Sequence, residues 1–301
     1  MNYEFVKNDP YLAPFESAIV GRHNYAAKRE KELLGETNKT LSDFASGYMF
    51  FGLFKVKRSW VLREWAPNAT AIYLIGDFNN WQKNEKFRLE PKENGVCELK
   101  ISEKYIHHGD LYKLIVEWNG GAGERIPAWC RRVVQDEQTK IFSAQVWQPE
   151  QEYKFRIRKF HPTKAPLMIY ECHIGMAQEE GKVGTYREFA DLTLPHVKKA
   201  GYNTIQLMAI MEHPYYASFG YQVTNFFAPS SRFGRPEELK KLIDSAHRMG
   251  ITVWLDVVHS HACKNTRDGI EQSVLSAVLY GGKNQTQNGG RKHHACRKGQ
   301  Y

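Results

Sequence analysis

The chain has 301 residues, 42% of them hydrophobic and 25% charged, with a net charge of +9. That length allows two ordinary domains, and that balance excludes disordered, collagen-like and fibrous classes. Seven Lys/Arg against two Asp/Glu in residues 262–301 carry +5 of the charge, which leaves +4 elsewhere and no polyanion footprint, so nucleic acid is not an expected partner.

No apolar run reaches the roughly 18 residues of a membrane span, so no membrane association is expected. The first twenty residues, MNYEFVKNDPYLAPFESAIV, lack the basic start and apolar stretch of a secretory leader. The five cysteines (Cys97, Cys130, Cys172, Cys263 and Cys296) are scattered, with no C-x-x-C pair. Free thiols in a reducing cytoplasm follow, with no metal and no cofactor expected.

In chain order, Asp9-Pro10 predicts a helix start, and a charged helical stretch runs through Leu34 to a stop at Gly35. Lys28 to Glu32 read as its solvated face. Residues 1–46 are therefore expected as a helical segment. From Gly47 to Trp147 the texture becomes short alternating strands broken by turn residues. Ala71–Ile75 stops at Gly76-Asp77, and Val96–Ile101 and Leu111–Val116 alternate apolar and polar. This spacing predicts a β-sandwich over 47–150.

After a linker-like stretch, Gln148–Pro166, three apolar runs appear: Leu167–Cys172, Thr204–Met208 and Ile251–Val258. A helical stretch Thr185–Ala200, interrupted or restarted at Pro195, separates the first two. Between the last two, Pro236 opens a helix with Leu239, Leu242, Ile243, Ala246 and Met249 on one face, closed by Gly250. Strands alternating with helices predict parallel βαβ units. A complete (β/α)8 barrel takes about 250 residues, whereas 136 remain from Pro166 to Tyr301. An unfinished barrel of about three strands is expected over 151–270, followed by a basic, Gly/Asn/Gln-rich, disordered tail over 271–301.

Functional residues of α/β barrels sit where strands end. That rule selects Glu171 and His173, then Glu212 and His213, then Asp256, His259 and His261. Two readings of Glu212 and Asp256 stand side by side: the paired carboxylates of a glycosidase, or groups that brace loops by hydrogen bonds.

The longer text around these positions resembles the branching enzymes of the α-amylase superfamily. Asp256-Val257-Val258 with His261 is similar to that superfamily's first signature, and Tyr170-Glu171-Cys172-His173-Ile174-Gly175 to the barrel entry of branching enzymes. EHPYYASFGYQVTNFFAPSSRFG, from Glu212 to Gly234, is similar to their second-strand loop, and His259-Ser260-His261 to the ending of their third strand. Upstream, REWAPNATAIYLIGDFNNW resembles the family 48 glycan-binding module that precedes such barrels. The likeness runs from about Pro10 to Gly269.

What the resemblance implies is a multidomain β and α/β chain that acts on α-1,4-glucan, glycogen-like or starch-like, as a monomer. The activity would be transfer of an α-1,4-glucan segment to a 6-hydroxyl. It implies that Tyr221 is the platform under the transferred sugar and that Asp256 and His261 bind its hydroxyls. On the module it implies that Trp81 is a stacking platform and Lys113 a hydroxyl donor beside it, with Trp65 and Asn94 completing that surface. Core packing explains Trp65 equally well, and packing or domain contact explains Trp118, Trp129 and Trp147. In this family the nucleophile and acid lie on later strands, and their signatures do not occur in these 301 residues. Glu212 and Asp256 are not their counterparts, so the chain is expected to be inactive alone. Likeness stops after Asp268-Gly269-Ile270, as a frameshift, an unspliced intron or a wrong gene model would leave it, with a regulated short isoform as the reading that needs more assumptions. The competing readings are a non-catalytic glucan-binding protein and a debranching hydrolase of the same superfamily.

Overall fold

A computed structural model describes residues 3–258 and Cys263. His259, His261, the Asp268-Gly269-Ile270 break and the tail at 271–301 lie outside the described residues. The chain divides into two compact units, 1–50 and 51–301.

The first unit is helical: α1 (Glu4–Lys7), α2 (Glu16–Leu34) and α3 (Leu41–Phe44). Asp9-Pro10 does not start α2. The Asp9 carboxylate accepts the Tyr11 N–H at 2.8 Å and its carbonyl accepts those of Leu12 and Ala13, which makes a local turn, and α2 begins after Pro14. Asp side chains compete with the helix in this way when they bond their own turn. α2 buries no residue along its length, and Gly35, at φ +61°, ends it. Lys28 and Arg29 both pair with Glu32 on its solvated face.

The second unit opens with two antiparallel sheets. One is ordered β1-β2-β5-β4 and comprises Gly52–Val56, Ser59–Trp65, Val96–Ser102 and Glu90–Pro91. The other is ordered β3-β6-β9-β8, comprising Ala69–Gly76, Leu111–Trp118, Phe142–Gln145 and Val133–Gln135, with β7 (Gly121–Arg125) also paired to β6. Alternate residues from both faces, including Leu62, Leu74, Leu99, Leu114 and Phe142, fill one core.

Three parallel strands follow, β10 (Ile169–Cys172), β11 (Thr204–Leu207) and β14 (Thr252–Leu255), in that order across the sheet. A helical run α4 (Tyr186–Glu188), a π segment Phe189–Thr193 and α5 (Leu194–Lys199) joins the first two strands. Pro195 has no N–H to donate, and the wider π turn just before it accommodates that gap. The loop after β11 forms a small hairpin that the sequence pattern did not suggest, β12 (Met211–Glu212) with β13 (Asn225–Pro229). α6 (Pro236–Arg248) then leads to β14. Among the described residues of this parallel sheet, β11 alone has a strand on each side. It is nearly buried, whereas β10 and β14 leave Ile169, Trp254 and Leu255 exposed.

Sandwich and sheet are joined through side chains. Trp129 stacks on Phe227 with centroids 4.2 Å apart, and Trp147 donates to Glu237 at 3.0 Å beneath the Arg132 guanidinium. Asn225 donates to the carbonyls of Pro127 and Ala128 at 3.1 and 3.3 Å. The linker-like stretch is held by Asp244 of α6, which accepts the Tyr153 hydroxyl at 2.8 Å and the N–H groups of Arg156 and Ile157 at 3.1 and 3.0 Å.

Glu64 in β2 is also buried, its carboxylate accepting the Ala128 N–H at 2.9 Å, and burial pushes its carboxyl from 4.5 up to about 7. A folded-state value above the unfolded one means that the folded chain binds this proton more tightly. The stabilisation from Glu64 is therefore complete below pH 4.5 and is lost as pH rises through 7. The loss is on the order of 3 kcal/mol across that window. Urea titrations between pH 5 and 8 should show stability falling with pH, and Glu64→Gln should flatten that slope. An unchanged slope in the variant would assign the effect to other groups.

Candidate functional site

The parallel sheet sets one group of side chains by register alone. Glu171, Gln206 and Trp254 stand side by side across β10, β11 and β14. Side chains alternate along a strand, so Asp256 faces the same way as Trp254, while Cys172, Ile205 and Leu207 pack toward the helices. The Gln206 amide donates to Asp256 Oδ1 at 2.8 Å.

The loop after β11 brings the second partner. Phe219 and Gly220 both have positive φ, and a Cβ on Gly220 would collide with the Ala209 carbonyl oxygen. That tight turn delivers Tyr221, whose hydroxyl donates to Asp256 Oδ2 at 2.7 Å. Burial first, and then the carboxylate it faces, push the Tyr221 phenol up to about 12. The hydroxyl thus stays a donor, and Asp256 accepts from it and from the Gln206 amide. Each carboxylate oxygen keeps a free lone pair for a further hydroxyl. The structure brings Tyr221 and Asp256 together; His261 lies outside the described residues.

Glu212 is different in kind. It is 1% exposed, and its oxygens accept from Ser230 Oγ at 3.0 Å, Ser231 N at 2.7 Å, Ser231 Oγ at 2.8 Å and His213 N at 3.2 Å. Such a sealed group braces the loop and cannot meet a glycosidic bond. His213 beside it is buried and neutral, pushed down to about 4 by burial. Its Nδ1 donates to the Met211 carbonyl at 2.9 Å and its Nε2 accepts from Arg232 at 3.2 Å. His173 is buried among the edges of Tyr216, Phe219 and Phe233, at 5.4–5.5 Å.

On the sandwich, Asn80 and Trp81 both take left-handed φ, +53° and +58°. A bulky residue there is strained, and such strain gathers at ligand clamps. The turn lifts the indole out of the sheet, and Asp77 aims it: Oδ1 accepts Trp81 Nε1 at 3.0 Å while Oδ2 accepts Leu111 N at 2.7 Å. Lys113, two residues along β6, is 5% exposed, with its ammonium 3.4 Å from Glu124.

Trp65 and Asn94 form a pair of their own, the indole donating to the Asn94 carbonyl at 3.0 Å. They do not complete the Trp81 surface. Trp65 ends β2 just before β3 begins, whereas the Trp81 N–H bonds to Gly76 at the end of β3. The seven steps from Ala69 to Gly76 separate them by roughly 23 Å. Strand direction, which a motif does not carry, puts the two tryptophans at opposite ends of the sandwich.

Sequence reading missed Gln206, Asp77 and Arg232. A polar residue inside an otherwise apolar strand was the available signal for Gln206, and Asp77 was visible only as a turn residue.

Two family models match: carbohydrate-binding module 48 (isoamylase N-terminal domain) over 51–130, and the alpha amylase catalytic domain over 179–281. The chain is 47% identical over 274 residues to a 1,4-alpha-glucan-branching enzyme of Dictyostelium discoideum, covering 89% of this chain and 40% of that one. It is 47% identical over 296 residues to one of Rhizophagus irregularis, covering 94% and 43%. Over about nine tenths of its length the chain is similar to 1,4-alpha-glucan-branching enzymes. It spans about two fifths of the length of the relatives it matches. A pullulanase from Paenibacillus barengoltzii, solved with maltotetraose, superposes with a TM-score of 0.58 at 17% identity, over 70% of this chain and 38% of that one. That likeness shows the fold: a module 48 sandwich followed by part of an amylase-type barrel. Among the described residues, no helix is long and apolar enough to cross a membrane.

Proposed function

We propose that this chain supplies the glucan-binding module and the first barrel strands of a branching enzyme, which transfers an α-1,4-glucan segment to a 6-hydroxyl of another glucan chain. The observation that carries the reading is Asp256, held at a strand end by hydrogen bonds from Gln206 and Tyr221. In this reading the Tyr221 ring stacks on the C–H face of the transferred sugar, and Asp256 and His261 take its hydroxyls. On the module, Trp81 is the platform. Lys113, on the interior strand β6 beside Glu124, serves a hydroxyl next to that platform, while Trp65 and Asn94 bond each other at the other end. A cytoplasmic location belongs to the same reading, supported by the free buried thiols of Cys97, Cys130 and Cys172, and so does a monomeric state.

Retaining transfer needs two carboxylates about 5 Å apart across the bond. Glu212 is sealed and cannot serve as one of such a pair with Asp256. The 301-residue polypeptide by itself should leave the blue colour of iodine-stained amylose unchanged with time. A time-dependent loss of colour, with no other enzyme present, overturns the claim that catalysis needs further strands.

A further inference from the structure

Away from the site just described, a groove of about 490 Å³ is lined by Lys154, Phe155, Ile157, Arg158, Phe160 and His247. His247 lies in the last turn of α6, before β14, whereas Asp256 follows β14. The groove therefore opens at the opposite end of the parallel sheet from the proposed sugar site.

Its chemistry differs from that of a neutral glucan platform. Between Glu152 and Glu171 the sequence carries Lys154, Arg156, Arg158, Lys159 and Lys164 and no acidic residue. Lys154 and Arg158 are exposed, with no ion-pair partner among the described residues. Asp244, the acid of α6 that meets this segment, is 2% exposed and occupied by Tyr153 and two backbone N–H groups. It fixes the backbone under the groove without neutralising the side chains above. Flat rings complete the lining. Phe160 stacks on His247 with centroids 4.0 Å apart and planes 6° apart, and Phe155 is 37% exposed.

Two unpaired cations on an anchored backbone suit a dianion, and the rings beside them suit a flat or ring-shaped carbon body. The volume is far more than a bare phosphate ion fills. We propose that the Lys154–Arg158 groove is a second small-molecule site, which takes a phosphomonoester whose ring lies against Phe155 and Phe160. This does not rest on the branching reading.

Titration calorimetry of the 301-residue chain with glucose 6-phosphate, AMP, glucose and inorganic phosphate tests it. At least one of the two phosphomonoesters should bind and glucose should not, and the tighter of the two identifies a sugar or a nucleotide source. The exposed pair Lys154→Gln with Arg158→Gln should weaken binding at least about tenfold at an unchanged thermal midpoint. The charge-keeping pair Lys154→Arg with Arg158→Lys should retain it. Failure of both phosphomonoesters to bind, equal binding by the Gln variant, or inorganic phosphate binding as tightly as either ester overturns the proposal.

Discussion

Trp81→Ala should abolish the retardation of this chain in glycogen-containing gels, and Trp65→Ala should leave it in place. The contrast follows from strand direction. Trp81 stands on a strained left-handed turn with its indole aimed by Asp77, an arrangement that spends backbone energy to present a ring. Loss of a central aromatic platform costs about 2 kcal/mol or more of binding, roughly thirtyfold in affinity. Trp65 sits at the far end of the sandwich, bonded to Asn94 and packed beside Gly95. Its truncation should lower the urea midpoint, by about 2 kcal/mol of stability, without changing the retardation. If Trp65→Ala alone released the chain from glycogen, the glucan surface would lie at the other end of the module. If neither variant changed mobility, the sandwich would not be the glucan-binding element.

Glu212→Ala should have the largest effect on stability among these variants. The carboxylate is the common acceptor for four donors: Ser230 Oγ, Ser231 Oγ and the N–H groups of Ser231 and His213. Burial raises its pKa and these four bonds oppose that rise. Removing it strands the donors in a dry interior at about 1 kcal/mol each, so a loss of about 4 kcal/mol is expected in urea unfolding. Glu212→Gln keeps one acceptor oxygen and should lose about half of that. A loss below about 1 kcal/mol in the alanine variant would mean that Glu212 is not the brace of this loop, and would reopen it as a group free for chemistry.

Both outcomes separate what local sequence conveys from what it does not. The alternating strands of the sandwich, the three apolar strands of the sheet, the apolar face of α6 and the stops at Gly35 and Gly250 were legible, because each depends on neighbours within a few residues. Tyr221 and Asp256 were also legible, through the resemblance of the text around them. Their mutual contact was not: Asp256 meets Gln206 and Tyr221 across 50 and 35 positions of chain.

The sequence by itself determined the order of a helical segment, a sandwich and parallel βαβ units, because hydrophobic period and turn chemistry are local properties of a chain. Only the tertiary structure decided which polar groups stand open at a strand end and which are sealed inside. Glu212 and Asp256 look alike in the sequence, yet one is enclosed by the β12–β13 loop and the other stands at a strand end. Trp65 and Trp81 look like one surface, yet a single strand carries the chain from one end of the sandwich to the other between them. Burial and direction depend on contacts between distant segments, which exist only once the backbone has closed its sheets.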